Sequence, residues 1–135
     1  LKHSAPTFAN VRGFTQMGLS CLIGNCILLL PALTIGATGC VDGPVNIAPE
    51  LWLEIWNAYR EGDLKRAEAA QDRASEVGDL FLGFEFHAAI KAVLSERLGI
   101  DCGHPRPPQL PLSPEQRTNL SKKVAELNLD NITVS

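Results

Sequence analysis

Basic clusters, long apolar runs and closely spaced metal ligands are all scarce in this sequence, and each scarcity removes a class of function. Twelve Lys and Arg residues stand against 15 Asp and Glu, a net charge of −3, with no basic stripe interleaved with aromatics. Proteins that hold phosphate backbones do so with clustered cations, so nucleic acid is not an expected partner. The longest apolar run, Cys26 to Ile35 inside Leu19–Ala37, is broken by Gly24, Asn25, Pro31 and Gly36. A membrane-spanning helix needs about 20 continuous apolar residues. A buried strand and helix fit the run better, and no membrane partner is expected.

Histidines are few and scattered, at His3, His87 and His104. The four cysteines, Cys21, Cys26, Cys40 and Cys102, contain no C-x-x-C pair. Metal sites need such ligands at tight spacing, so no metal is expected. Three of the cysteines sit among apolar neighbours, the setting of buried free thiols in a reducing compartment. No positively charged leader precedes a cleavable apolar segment. The expected location is therefore the cytoplasm.

What is present is the composition of a globular chain: 135 residues, 45% hydrophobic and 20% charged. That length is normal for one domain and permits a buried core. Thr7 to Met17 is predicted as a helix, because Phe8, Val11 and Phe14 fall at helical spacing. Leu19 to Ile23 is predicted as a short buried strand, broken by Gly24-Asn25. An apolar helix follows from Ile27 to Ile35, with Pro31 in its first turn or so, where a missing N–H matters least. Gly36 closes it, and Thr38 to Val41 is a second short strand leading to the loop Asp42-Gly43-Pro44. Short apolar strands without alternation are buried on both faces, as in parallel sheets.

The pattern changes after Asn46. Pro49 to Glu61 places Leu51, Trp52, Ile55, Trp56 and Tyr59 on one broad helical face, ended by Gly62. Asp63 caps a helix running from Leu64 to Val77 or beyond, and a third runs from about Glu85 to Leu98. Prolines hold Gly103 to Pro108 extended. Ser113-Pro114-Glu115-Gln116 reads as a helix start, with Ser as N-cap, Pro at N1 and Gln at N3. That helix is expected to reach about Leu127, with a loose tail beyond. Two or three parallel strands leave open edges and an uncovered face. The chain therefore reads as a fragment of a larger parallel-sheet domain.

The order and spacing of several segments carry a family resemblance. Leu22-Ile23-Gly24, then Leu28 to Leu33, then Gly36-Ala37-Thr38-Gly39-Cys40-Val41, then Asn46-Ile47-Ala48-Pro49-Glu50-Leu51 resemble the last barrel repeats of the dihydrodipicolinate synthase/N-acetylneuraminate lyase family. Tyr59 to Leu64 is similar to the family's following helix junction, and Pro105 to Pro108 with Leu110-Pro111-Leu112 and the Ser113 cap to its C-terminal end. The resemblance implies an α/β fold: the C-terminal part of a (β/α)8 barrel followed by a helical extension. Residues 1–46 would be the last βα repeats, 47–129 the closing barrel helix with a helical bundle, and 130–135 a tail. It also implies a homotetramer.

Leu1-Lys2-His3-Ser4 matches the family's apolar-K-x-S/T context at the end of the sixth barrel strand. By resemblance Lys2 is the catalytic lysine, forming a Schiff base with pyruvate or another small 2-oxo acid. Ser4, Gly24, Asn25, Val41, Asp42 and Gly43 are the implied substrate-binding positions, with no cofactor. Strands one to five, the family's carboxylate-binding Thr pair and its catalytic tyrosine would lie upstream of Leu1. Imine formation needs a neutral amine, and at a reference pKa near 10.4 only about one lysine in 2,500 is neutral at pH 7. Desolvation in a barrel mouth raises that fraction. Lys91, the rival lysine, reads as a snorkelling surface or tetramer-contact residue.

Asn25-Cys26-Ile27 departs from the sialic-acid lyases, which carry acidic side chains there to hold sugar hydroxyls. Gly43 replaces a hydroxyl residue of that subfamily. A small 2-oxo acid, or a 2-keto-3-deoxy acid held by other residues, fits better than a long sugar acid. Asp42 is either one polar substrate contact or an exposed loop carboxylate. The Trp52, Trp56 and Tyr59 stripe reads as packing. The alternatives within the family are aldolase or dehydratase on one side and dihydrodipicolinate synthase on the other. A non-catalytic helical module or inactive fragment is the alternative of another class, and the short apolar strands argue against it.

Overall fold

The structure is a computed structural model, and it describes residues 1–129. The expected tail, 130–135, lies outside the described residues. Three two-residue strands come first: β1 (Lys2–His3), β2 (Leu22–Ile23) and β3 (Gly39–Cys40). They form one parallel sheet in the order β1-β2-β3. Helix α1 (Asn10–Gln16) joins the first pair. A 3-10 turn (Cys26–Leu28) continuing into α2 (Leu29–Thr34) joins the second. The parallel pairing follows from these crossovers, since parallel neighbours need a connection long enough to return the chain.

The ladder extends a little past each strand. Leu22 donates its backbone N–H to Leu1, Gly24 to His3, Thr38 to Cys21 and Val41 to Ile23, all at 2.8–2.9 Å. Both strands are shorter than the apolar runs that announce them. Leu19 is 43% exposed and precedes the first ladder bond. Hydrophobicity marks where a segment can be buried, whereas strand limits are set by where a partner backbone runs alongside. Helix α1 likewise starts later than its periodicity predicts. Phe8, Asn10 and Val11 donate to Pro6, Thr7 and Phe8 in tight turns that lead into the helix. The predicted single helix from Ile27 is a 3-10 turn leading into α2, and Pro31 is its third residue, where no donor is needed.

Beyond the sheet come α3 (Pro49–Glu61), α4 (Leu64–Asp79), α5 (Phe86–Leu98) and α6 (Pro114–Leu127). Helix α3 buries Leu51, Trp52, Ile55 and Ala58, each large side chain contributing about 1.5–3 kcal/mol of transfer free energy. Its aromatic stripe is packing: Trp52 donates Nε1–H to the Cys26 carbonyl at 3.0 Å, and the Tyr59 hydroxyl donates to the Leu33 carbonyl at 3.1 Å. The α4 face toward the core is small, with Ala67, Ala70 and Ala74. Buried Gln71 on that face accepts from the backbone N–H of Leu30 at 2.9 Å, satisfying a first-turn donor of α2. Helix α6 opens with a complete capping box. Ser113 Oγ accepts from Gln116 N–H, and Gln116 Oε1 accepts from Ser113 N–H. One hydrophobic cluster runs from Val11, Ile23 and Leu29 through Ile55 and Val77 to Val93 and Leu120. The helices therefore hold the sheet from behind and leave its strand ends free to carry a site.

Candidate active site

Strand register decides which side chains meet. Lys2, Leu22 and Gly39 stand in one row across the sheet, and His3, Ile23 and Cys40 in the next. Side chains alternate along strands. His3 and Ile23 are buried against the helices, whereas Lys2 is exposed. Two residues further along each chain, the Lys2 face continues with Ser4, Gly24 and Val41. The sequence-predicted residues Lys2, Ser4, Gly24 and Val41 therefore share one face at the C-terminal ends of parallel strands. That is the end where barrel folds place their chemistry.

Gly24 is the tightest point of this face. A Cβ there would stand 2.0 Å from Ser4 Oγ, 2.5 Å from Lys2 Cε and 3.0 Å from Ser4 Cβ. A methyl group here would displace both side chains, because both cross the end of β2 through the space it would occupy. Lys2, Ser4 and Gly24 are thus brought into direct contact. Val41 is aligned with them, 46% exposed, and held by its N–H bond to Ile23.

The other predicted positions stand on the loops that follow. Asn25 is exposed, makes no side-chain cap to the 3-10 turn it precedes, and accepts from Leu28 N–H through its carbonyl. Asp42 is half-buried, unlike the exposed loop carboxylate that was one of its two expected readings. Its Oδ2 accepts from the Cys26 N–H at 2.9 Å and its Oδ1 from the Gly43 N–H at 2.7 Å. Both oxygens therefore face backbone donors, and the carboxylate clasps the loop after β3 to the one after β2. Gly43 lies under α5, where a Cβ would stand 2.3 Å from Ile90 Cδ1 and 2.8 Å from Phe86 Cζ. The clasp and this contact are long-range, and nothing in the local sequence signals either.

Two cysteines lie beside this region. Burial pushes the Cys40 thiol up to about 12; the Asp42 carboxylate pushes the same way, and the Lys2 charge opposes it. Burial first, then Asp42 and Cys40, push Cys26 further still. Both remain protonated at neutral pH and are poor nucleophiles. Lys91 is engaged elsewhere: its Nζ donates to the Cys102 carbonyl at 2.6 Å. His3 was not anticipated from the sequence. It is 5% exposed, its ring centroid is 5.6 Å from that of Phe14, and its Nε2 is 3.1 Å from the Thr7 carbonyl. Among the described residues, no group of three His, Cys, Asp or Glu stands close enough to hold a metal ion. No helix among them is long and apolar enough to cross a membrane.

Comparison with known proteins gives this arrangement its context. An uncharacterised DapA-like lyase of Halobacterium salinarum is 38% identical over 111 residues, covering 82% of this chain and 36% of that protein. A 4-hydroxy-tetrahydrodipicolinate synthase of Archaeoglobus fulgidus is 30% identical over 108 residues, covering 80% and 37%. The structure of Proteus mirabilis N-acetylneuraminate lyase superposes with a TM-score of 0.81 at 26% identity, covering 95% of this chain and 44% of that one. The chain thus spans less than half the length of these relatives, and its fold is the C-terminal portion of their barrel with the helices that follow it. The dihydrodipicolinate synthetase family matches residues 3–127, and this chain belongs to that family.

Proposed function

We propose that Lys2 is the imine-forming lysine of a pyruvate-dependent lyase, active in a complete barrel that supplies the missing strands. The observation that carries the reading is the contact of Lys2 and Ser4 across Gly24 at the C-terminal end of a parallel strand. A neutral Lys2 amine attacks the C2 carbonyl of a 2-oxo acid. The carbinolamine loses water, leaving a C=N bond between Nζ and C2. The protonated imine then accepts the electron pair of a breaking bond beside it, or releases that pair to form a new one. Ser4 and Val41 flank the bound acid, and Asp42 holds the loop around it. This step calls for no cofactor.

Completion of the barrel is supported by the sheet itself. Both β1 and β3 have one edge unpaired among the described residues, and open edges of this kind are normally covered. A cavity of about 350 Å³ lies beside the β3 edge, lined by Leu29, Cys40, Trp52, Leu53 and Trp56. Barrel elements from the remaining chain would fill it on the β3 side, and a strand paired along the β1 edge would desolvate Lys2. Leu82, Leu98 and Leu110 are more than half exposed, which supports self-association, as a homotetramer, through the helical region. Four free cysteines fit a reducing cytoplasm.

For substrate, the site favours a small 2-oxo acid over a polyol. Cys26 is buried, the Asp42 oxygens are occupied by backbone donors, and Gly43 has no side chain to offer. The synthase reaction is the second reading, favoured by the likeness to the Archaeoglobus enzyme. The test is borohydride reduction of the complete protein with pyruvate, followed by peptide mass analysis. The expected product is a reduced pyruvyl adduct on Lys2, with Lys91 unmodified. An adduct on Lys91, or none with any 2-oxo acid, refutes the reading.

A further inference from the structure

We infer that His3 is a positioning residue for Lys2, acting through the arch that joins β1 to α1. The inference rests on the Schiff-base reading and adds a residue to it. Strand β1 is two residues long, so little ladder exists to hold its side chains at fixed angles. Whatever anchors the outer face therefore also sets the inner one. In the adjacent strand the same row is filled by Ile23, an ordinary buried aliphatic. An imidazole in that place costs desolvation unless it is bonded.

The bond it makes is specific. A carbonyl can only accept, so His3 carries its proton on Nε2 and donates to Thr7 at 3.1 Å. The same carbonyl accepts from the backbone N–H of Asn10 at the start of α1. His3 thereby ties the end of β1 to the entry of α1, and the Phe14 ring, one turn into that helix, supports the imidazole from the side. Between these anchors runs the arch of Ser4, Ala5 and Pro6. Its inner side is seated on Gly24 through Ser4 Oγ, next to Lys2 Cε. The arch is thus pinned outside at Thr7 and inside at Gly24, and the two pins together fix where Nζ is carried. A merely structural histidine would contribute burial. A positioning one contributes the angle at which Lys2 leaves the strand.

The test compares His3→Phe and His3→Gln in the complete protein. Phe keeps the ring against Phe14 and removes the donor. Thr7 keeps its bond from Asn10, so no carbonyl is orphaned and the fold is expected to persist. Gln returns an N–H near the Nε2 position. The readout is the single-turnover rate of pyruvate trapping by borohydride at saturation, beside the pyruvate concentration giving half that rate and the melting temperature. His3→Phe is expected to slow trapping about tenfold, an effect of misplaced geometry, with half-saturation unchanged. His3→Gln is expected to restore most of the rate. A wild-type rate in His3→Phe overturns the proposal, as does a His3→Gln as slow as His3→Phe while both melt like wild type. If His3→Phe does not fold, Phe14→Leu keeps the donor and loosens its support. A measurably slowed trapping there is expected, and a wild-type rate overturns the proposal. Absence of trapping in the wild-type protein removes both the Schiff-base reading and this role. Trapping in wild type with an unaffected His3→Phe removes this role alone.

Discussion

A methyl group at position 24 tests the site more directly than removal of the lysine, because it leaves every functional group present and moves only their geometry. In Gly24→Ala the new Cβ would stand 2.0 Å from Ser4 Oγ and 2.5 Å from Lys2 Cε. Carbon atoms in van der Waals contact sit about 3.5–4.0 Å apart, so each neighbour must retreat by more than ~1 Å. Both are side-chain atoms on exposed residues, and both can swing outward without disturbing β1 or β2. Overpacking costs about 1–3 kcal/mol in a closed core, and here the lower end applies because the displaced groups move into open space. Reactivity should suffer more than stability. A displacement of about 1 Å at a reacting group can lower rate by roughly a hundredfold. The expected outcome is a folded Gly24→Ala protein whose pyruvate trapping by borohydride is slowed by about two orders of magnitude. The trapping rate is to be measured beside a thermal melt. A variant that traps pyruvate at the wild-type rate would show that the Lys2, Ser4 and Gly24 contact has no part in the chemistry. A variant that unfolds outright would show that Gly24 is needed for backbone packing instead.

The Asp42 clasp predicts that Asp42→Ala lowers stability by about 1–3 kcal/mol, the cost of leaving two partly buried donors unpaired, read as a lower denaturation midpoint. A midpoint within error of wild type would mean the loops are held by other contacts. Cys40, with its thiol raised from 9.0 to about 12, should resist iodoacetamide in the native protein at pH 8 and react once unfolded, since only the thiolate attacks. Prompt native labelling would contradict its burial. The same shift has a stability consequence. Between pH 9 and about 12 the unfolded thiol releases its proton before the folded one does, so this contribution is complete below pH 9 and is lost as pH rises. Cys40→Ala should therefore melt with a shallower alkaline dependence than wild type, and an unchanged dependence would refute the assignment.

The amino-acid sequence by itself determined the features whose causes are local. Helices α3 and α6 run from Pro49 to Glu61 and from Pro114 to Leu127, as their prolines, the Gly62 stop and the Ser113-Gln116 box announce. Caps and the 3.6-residue period act over a few residues, and no distant partner is needed to read them. The short apolar segments likewise implied parallel strands, and the order of motifs implied the family. Tertiary structure decided the rest. The two-residue limits of β2 and β3 depend on where neighbouring backbones run. The contact across Gly24 joins positions separated by a whole helix. The double bond of Asp42 to Cys26 and Gly43, the seat of Gly43 beneath Phe86 and Ile90, and the bond from His3 to Thr7 follow the same logic. In each case the residue type permits several partners, and only the folded chain, by bringing one of them within reach, selects among them.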